Sequence, residues 1–449
     1  METNVVDRMT SRVQGLLERG RIAQAIDLIE SLPPADQADI FEDLPLEQQE
    51  TLLSLLENEE AADILEELED EGAAELAARI DAGVLAPIVD EMAPDEAADL
   101  LGDLGPSLRT DTLAQMLEAD EVKPLLLHPD ETAGGLMTSE YLAFPQNMQA
   151  YQVLSALHNW EPKGVESPYL FVIDGQGHLA GLVSLFQILR ASRDAPLLTF
   201  MDPHVFRVHQ SDDQETAARL MARYDLIAVP VVDDDDRLVG VITVDDLIEV
   251  LEDEATEDIQ RIAGSEPLDR PYLDAGVVSV VWKRLGWLLL LFVTGTLTGT
   301  VMRLFENQLT EVVILSVFIP LLIGPGGNAG SQTTATVIRA LAVGDIDLKD
   351  SLRVLWHELR TALILGALLA LIAYVRALTW SNSSGTAVVV ASSIFAIVIW
   401  ADCVGSLLPL LAAKFHIDPA LISGPLMSTL VDATGLLIYF SIARVVLHI

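Results

Sequence analysis

The hydrophobic pattern changes character three times along the chain. Over residues 36–104 apolar positions recur at helical spacing within a loose 12-residue period: Asp36-Gln-Ala-Asp39-Ile-Phe, Glu60-Ala-Ala-Asp63-Ile-Leu, Gly72-Ala-Ala-Glu75-Leu-Ala and Glu96-Ala-Ala-Asp99-Leu-Leu. Broken by Pro33, Pro45, Pro87 and Pro94, this pattern predicts short antiparallel helices stacked as a small α-solenoid with acidic, solvated faces. From residue 136 to about 255, short apolar runs bounded by acidic or glycine turns predict strands, and Phe171–Ser184 returns as Pro230–Thr243 at a constant offset of 59. Residues 244–262 predict an acidic amphipathic helix whose apolar stripe, Leu247, Ile248, Leu251 and Ile259, must dock on something. Five apolar runs follow, near Leu285–Arg303, Val312–Ala342, Thr361–Leu378, Ala387–Ala413 and Ala420–Val446. Each crosses or nearly crosses a hydrocarbon core, which needs about 20 helical residues.

The charge balance separates these regions. Residues 266–449 hold 12 acidic and 11 basic residues, so −41 of the formal net charge of −42 lies in residues 1–265. That distribution excludes a single globular domain and a nucleic-acid partner, since a polyanion repels phosphate. It predicts an acidic soluble part joined to a lipid-embedded part. The first twenty residues show no basic stretch followed by an apolar run, so no cleavable signal is expected and the acidic part is expected in the cytosol. Five spans then place the C-terminus outside an inner (plasma) membrane. Lys283, Arg284, Arg339, Lys349, Arg353, Arg360 and Lys414 fall at cytosolic ends, against Arg303, Arg376 and Arg444 at outer ends. The lone Cys403 reads as a packing residue and excludes disulfides.

Two carboxylates interrupt the spans, Asp402 and Asp432. A charge at the centre of a spanning helix costs roughly 2.5–3.5 kcal/mol, so it is expected to face a bundle interior or a watery path. Gly424, Ser428 and Asp432 share a helix face with Gly435 nearby, a small polar stripe suited to lining a pore as well as to close packing. In the second span, Pro320 to Gln332 combines glycines and Pro325 with the neutral oxygen donors Asn328, Ser331 and Gln332. Such backbone is tolerated in a bundle where it lines a cavity. Oxygen donors with one or two carboxylates suit a hard cation such as Mg²⁺, which keeps much of its water, and no Cys/His cluster offers a soft-metal site. An enzyme is not expected, because no catalytic dyad or nucleophile setting emerges.

The repeat resembles a tandem CBS-domain pair, marked most specifically by Gly240, Thr243 and Asp246 in the pattern Gly-x-x-Thr-x-x-Asp. The resemblance implies that Thr243 and Asp246 are candidates to hold the ribose of an adenine nucleotide, whereas the first copy carries Gln187 where the acid would be. Whether a nucleotide binds stays open.

Taken together, Glu131-Thr-Ala-Gly-Gly-Leu-Met137, Glu254-Ala-Thr-Glu-Asp258, Gly326-Gly-Asn-Ala-Gly-Ser-Gln332, Asp418-Pro-Ala-Leu-Ile-Ser423 and the run from Asp432 resemble the MgtE family of magnesium channels and transporters over essentially the whole chain. The fold class implied is a multidomain membrane protein: an acidic helical domain (1–133), CBS copies at 134–198 and 199–253, an acidic connecting helix and linker (244–281), and five transmembrane helices (282–449). The resemblance implies a homodimer whose pore binds hydrated Mg²⁺ at Asp432, with Ser428, Asn328, Gln332 and Asp418 along the path or at its mouth. It also implies closure by cytosolic Mg²⁺ at Asp95, Asp99, Gly135, Asp213, Glu215, Asp225, Asp246, Glu254, Glu257 and Asp258, with Asp63 a looser match. Three positions depart from the family pattern. Ser331, Gly424 and Asp402 each stand where Asn is expected, and Asp402 is expected to face the bundle and to alter ion affinity or couple transport to protonation. Two other readings remain at this stage: a CBS-regulated transporter of Co²⁺ or Mn²⁺, and a membrane-anchored nucleotide sensor.

Overall fold

The computed structural model describes residues 3–158, 160, 169–268, 272–273, 275–306, 313–381 and 383–448. It divides into two compact units, residues 1–252 and 253–449, each described below by itself.

The first unit opens with a helical stack: α1 (Thr3–Leu17), α2 (Ile22–Ile29), α3 (Pro34–Glu42), α4 (Leu46–Leu53), α5 (Asn58–Glu67), α6 (Asp70–Ala77), α7 (Ala82–Val89), α8 (Pro94–Asp103), α9 (Pro106–Leu113) and α10 (Ala119–Val122). Proline sets several of these boundaries. Pro34, Pro94 and Pro106 stand in the first turns of α3, α8 and α9, where the missing N–H costs nothing, and Pro33 and Pro45 cap α3 and α4. Pro87 does not end a helix as the spacing predicts. It lies inside α7, near the end of an eight-residue helix, where few intrahelical bonds remain to be lost. Alternate helices pack together, α3 on α5, α5 on α7 and α7 on α9, with α4 on α6 and α6 on α8. The paired alanines of the period, Ala61-Ala62 and Ala97-Ala98, are buried and let the helices approach closely, while Ile40, Phe41, Leu52, Ile64, Leu76 and Leu85 fill the core. Burying each of those large side chains contributes about 1.5–3 kcal/mol before entropy is counted.

Two three-stranded sheets follow, β1 (Ala143–Pro145), β2 (Tyr169–Ile173) and β3 (Leu179–Ser184), then β4 (Val208–His209), β5 (Ala228–Val232) and β6 (Leu238–Thr243). In both, the first strand pairs parallel and the last antiparallel to the middle one. The offset of 59 survives in detail, since the register shifts at Val172/Ile173 in one sheet and at Val231/Val232 in the other. The methionines that introduce the copies cross over. Met137 packs on Gly240 of the second sheet and Met201 on Gly181 of the first, each where a Cβ would lie within 2.8 Å of the methionine sulfur. Isolated bridges Thr138–Val241 and Leu182–Asp202 reinforce the exchange. Helix α11 (Ala150–Leu157) follows β1, α12 (Leu185–Arg190) follows β3 and α13 (Gln214–Tyr224) follows β4.

Helix α14 (Val244–Ala263) is the predicted acidic helix, but its apolar stripe is only partly covered. Leu247 and Val250 are buried, whereas Ile248, Leu251 and Ile259 are exposed.

Among the described residues the second unit holds five helices long and apolar enough to span a membrane, here called the first (Val277–Leu304), second (Ile314–Ala342), third (Ser351–Ser381), fourth (Ser384–Lys414) and fifth (Gly424–Leu447) spans. Val312, the expected start of the second span, lies outside the described residues. The second, fourth and fifth spans pack on one another around Phe318, Ile397, Val398, Val431, Leu436, Tyr439 and Phe440, with the third span against the fourth. Despite Pro320 and Pro325 the second span is one continuous helix, tied to the fifth by Tyr439 Oη, which donates to the Leu315 carbonyl at 2.9 Å. Its glycines serve close approach. A Cβ on Gly326 would meet Ile397 at 2.4 Å, and one on Gly405 of the fourth span would meet the Gly330 carbonyl at 2.6 Å.

Candidate functional site

In the first unit α8 carries a row of carboxylates. Asp95 and Glu96 lie in the field of Asp246 and Glu249, at the start of α14, and of Glu66 at the end of α5. Burial and then these neighbours push the carboxyl of Asp95 up to about 7 and that of Glu96 up to about 9. Glu66 is raised to about 7 by burial, although its Oε1 accepts the Ala93 N–H at 2.6 Å. Asp95 Oδ1 is buried with no hydrogen-bond donor of its own. One turn further along α8, Asp99 stands beside Asp70, Asp95, Asp130 and Asp103 and is raised by surrounding protein and then by these charges. Its side chain keeps contact with solvent. Asp63 is raised by partial burial and then by Glu60 and Glu59.

The remaining predicted residues of this unit serve local geometry. Asp213 caps α13 by accepting the Glu215 N–H at 2.9 Å, Glu215 pairs with Arg219 one turn on, and Asp225 ends α13 in the left-handed region at φ 52°. Gly135 has no room for a side chain, since a Cβ would lie 2.5 Å from the Pro129 carbonyl. Asp246 Oδ2 accepts the Thr243 N–H at 3.0 Å and its hydroxyl at 2.9 Å, a helix N-terminal box that Ser184 and Gln187 reproduce in the first copy. The Thr243–Asp246 pair therefore has a structural job beyond any ligand, as does the Ser184–Gln187 pair of the first copy. Among the described residues, no three His, Cys, Asp or Glu side chains converge closely enough to hold a metal ion together.

In the second unit, Glu254, Glu257 and Asp258 lie along the last turns of α14. Arg261, one turn after Glu257, pairs with it and reaches Asp418 Oδ2 at 2.5 Å. The other oxygen of Asp418 accepts the Ala420 N–H at 2.8 Å and starts the short turn before the fifth span. Ser423 then caps that span.

On the fifth span Ser428 and Asp432 are half-buried, and Asn328 and Gln332 stand exposed on the second. Ser331 Oγ donates to the Gly424 carbonyl at 2.9 Å and lies 3.1 Å from Ser428 Oγ. Two of the three departures from the expected pattern, Ser331 and Gly424, thus face each other. The third, Asp402, is buried at 2% exposure between the second, third and fourth spans. Several participants carried no signal in the sequence. Glu66, Glu96, Glu249, Arg261, Thr333 and Glu358 read as ordinary polar positions, and only the pairing of distant elements gives them a role.

An acidic helical stack, a paired α/β repeat and five apolar helices with polar side chains turned toward one another define the class as a multi-pass membrane protein with large soluble domains. The MgtE divalent cation transporter profile matches residues 319–442, the MgtE intracellular N domain residues 23–131, and the CBS domain residues 198–253. The chain is 41% identical over 328 residues to the magnesium transporter MgtE of Thermus thermophilus, covering 73% of each chain, and 33% identical over 362 residues to that of Bacillus subtilis, covering 80% of each. It resembles the crystal structure of the cytosolic domain of the Mg²⁺ channel MgtE in complex with ATP, with 32% identity and a TM-score of 0.51 over 54% of this chain and 99% of that one. The soluble part of a magnesium transporter aligns similarly, with 31% identity and a TM-score of 0.50 over 56% of this chain and 99% of that one. The chain belongs to the MgtE family.

Proposed function

We propose that this protein carries Mg²⁺ across the plasma membrane as a homodimer and is closed by cytosolic Mg²⁺. The observation that carries the reading is the crowding of Glu66, Asp95 and Glu96 with Asp246 and Glu249, where burial first and then the neighbouring charges hold the first three carboxyls well above their ordinary range. A divalent cation, with its waters, neutralises two such charges at once and so selects the compact arrangement by differential affinity. Closure uses several such weak sites, including Asp63, Asp99, Gly135, Asp213, Glu215 and Asp225, and Glu254, Glu257, Asp258 and Asp418 at the membrane end of the connecting helix. No ready-made three-ligand site is needed, because Mg²⁺ keeps water in most of its coordination sphere.

For the path itself, Gly324, Asn328, Gln332 and Thr336 form an exposed polar stripe along the second span at four-residue spacing. Facing lipid, such a stripe is unfavourable; facing a second copy, it lines a wet interface. Asp432 and Ser428 supply the carboxylate and hydroxyl that hold the hydrated ion. The cytosolic side is the side of residues 1–265, with the C-terminus outside. A family relative's cytosolic domain binds ATP, and Thr243 with Asp246 is the corresponding adenine-nucleotide candidate here.

Mg²⁺ flux into vesicles reconstituted with the full chain tests the function. Asp432→Ala is expected to lower flux at least about tenfold, equivalent to about 1.4 kcal/mol, and parent flux is expected to fall as Mg²⁺ on the cytosolic side rises. Equal flux in the two proteins removes Asp432 from the path, and flux indifferent to that Mg²⁺ removes the gate.

A further inference from the structure

Asp402 sits in the fourth span at 2% exposure, and its Oδ1 lies 3.3 Å from the hydroxyl of Thr333 on the second. The same hydroxyl lies 3.4 Å from Oε2 of Glu358 on the third span. One threonine hydroxyl therefore stands between two carboxyl groups carried by different helices. It has a single proton to donate, and two ionised carboxylates cannot both receive it. Both contacts become hydrogen bonds if one carboxyl is protonated: that group donates to Oγ1, and Oγ1 donates to the other.

The surroundings favour the same count. No Lys or Arg among the described residues makes an ion pair with Asp402, and Glu358 is the charged neighbour acting on it. Among the described residues the second span brings the Thr333 hydroxyl, the third brings Glu358 with His357 behind it, and the fourth itself brings Cys403. Asp432 of the fifth span takes no part in these hydrogen bonds. Two full negative charges held this close inside an apolar bundle are costly, and a shared proton halves the charge. Glu358 also has a route to water, because its Oε1 lies 3.2 Å from Nδ1 of His357, whose side chain is 70% exposed.

We propose that Asp402, Thr333 and Glu358 form a proton-binding site in the membrane unit, filled and emptied on the side where His357 meets solvent. Within the trio, the Asp402 O–H bond breaks as Thr333 Oγ1 takes the proton, while the original Thr333 O–H bond breaks as Glu358 Oε2 takes its proton. The charge stays at −1 throughout, and loss of the proton to water through Glu358 makes it −2. Transport thereby acquires a dependence on pH that is separate from the acidic clusters of the first unit.

Infrared difference spectra of the purified full-length chain in lipid test the proton count directly. At neutral pH, subtracting Asp402→Asn from the parent is expected to reveal the carbonyl stretch of one protonated carboxylic acid, shifted in D₂O. Glu358→Gln is expected to lose the same band, since either amide can donate to the trio and leave the remaining carboxyl ionised; it also decides the matter should Asp402→Asn fail to fold. Thr333→Val keeps both carboxyls and is expected to move the band. A parent with no such band relative to these variants overturns the site, whether or not the protein carries Mg²⁺. In flux assays Asp402→Asn is expected to lose the pH-dependent component of transport. Identical pH profiles in parent and variant overturn the coupling.

Discussion

The two units treat negative charge in opposite ways. In the first, carboxylates are set against carboxylates, with Asp95 and Glu96 in the field of Asp246, Glu249 and Glu66. In the second, carboxyls receive particular partners: Arg261 for Asp418, Thr333 for Asp402, His357 for Glu358. The difference follows from the medium. In the soluble unit burial and like charge together raise these carboxyls, and a proton or cation drawn from solvent can relieve them. Inside a bundle nothing mobile is at hand, and each polar group must be satisfied by the fold. The glycines show the same contrast. A Cβ on Gly72 of α6 would meet nothing within 4 Å, while one on Gly405 would strike the backbone of Gly330.

That contrast in packing is the easiest to break. Gly405→Ala must push the second and fourth spans apart, and it is expected to cost about 1–3 kcal/mol, read as a lower unfolding midpoint of the solubilised chain. Gly72→Ala lies within a helix with open space around it and is expected to stabilise by about 0.5–1 kcal/mol. If both were neutral, the membrane unit would be no more tightly specified than the helical stack.

The charge contrast makes a prediction in pH. Asp95 and Glu96 have folded-state values of about 7 and about 9, above the ordinary values of 3.8 and 4.5, so protonation favours the folded arrangement. Their contribution is fully present below the ordinary values, declines as pH rises, and is lost once pH passes the folded values. Without Mg²⁺, thermal stability of the first unit is therefore expected to fall between about pH 4 and about pH 9, and saturating Mg²⁺ should flatten that slope by replacing the protons. Asp95→Asn with Glu96→Gln is expected to raise the Mg²⁺-free midpoint by a few degrees, about 1 kcal/mol, and to shrink the further gain from Mg²⁺. A double variant that melts lower without Mg²⁺ would show these carboxylates to be supported and not repelled.

Periodicity made the architecture legible in the sequence, and single residues were harder. The 12-residue period, the 59-residue repeat and the apolar runs reflect local burial, which every residue of an element repeats. Pro87 misled because its effect depends on how much helix follows it. Ile248, Leu251 and Ile259 misled because amphipathicity shows which face is apolar and not whether anything covers it. Asp402 announced itself, since a carboxylate in an apolar run is conspicuous, yet its partners Thr333 and Glu358 lie 69 and 44 positions away and look unremarkable alone. Ser331 and Gly424 read as two separate losses of an amide, and become one contact only when the second and fifth spans meet.

Arg261 offers the smallest effect and the sharpest question. Here the two treatments of charge meet, because Glu257 and Asp418 are proposed Mg²⁺ ligands and yet share a guanidinium already. The side chains are about one-third exposed, which screens the pairs, so each is worth well under about 1 kcal/mol. Arg261→Gln should therefore barely change the unfolding midpoint, by about 0.5 kcal/mol. Its effect belongs to the ion. With the guanidinium gone, two carboxylates are left without their fixed cation, and Mg²⁺ no longer has to displace one. Closure measured by protection of residues 253–268 from protease is expected to begin at a lower Mg²⁺ concentration than in the parent, while protection without Mg²⁺ falls. Arg261→Lys, keeping the charge without the planar fork, should lie between them. If the glutamine variant instead needs more Mg²⁺, the arginine assists the ion and does not compete with it, and the membrane end of the connecting helix belongs with the specifically partnered carboxyls of the second unit.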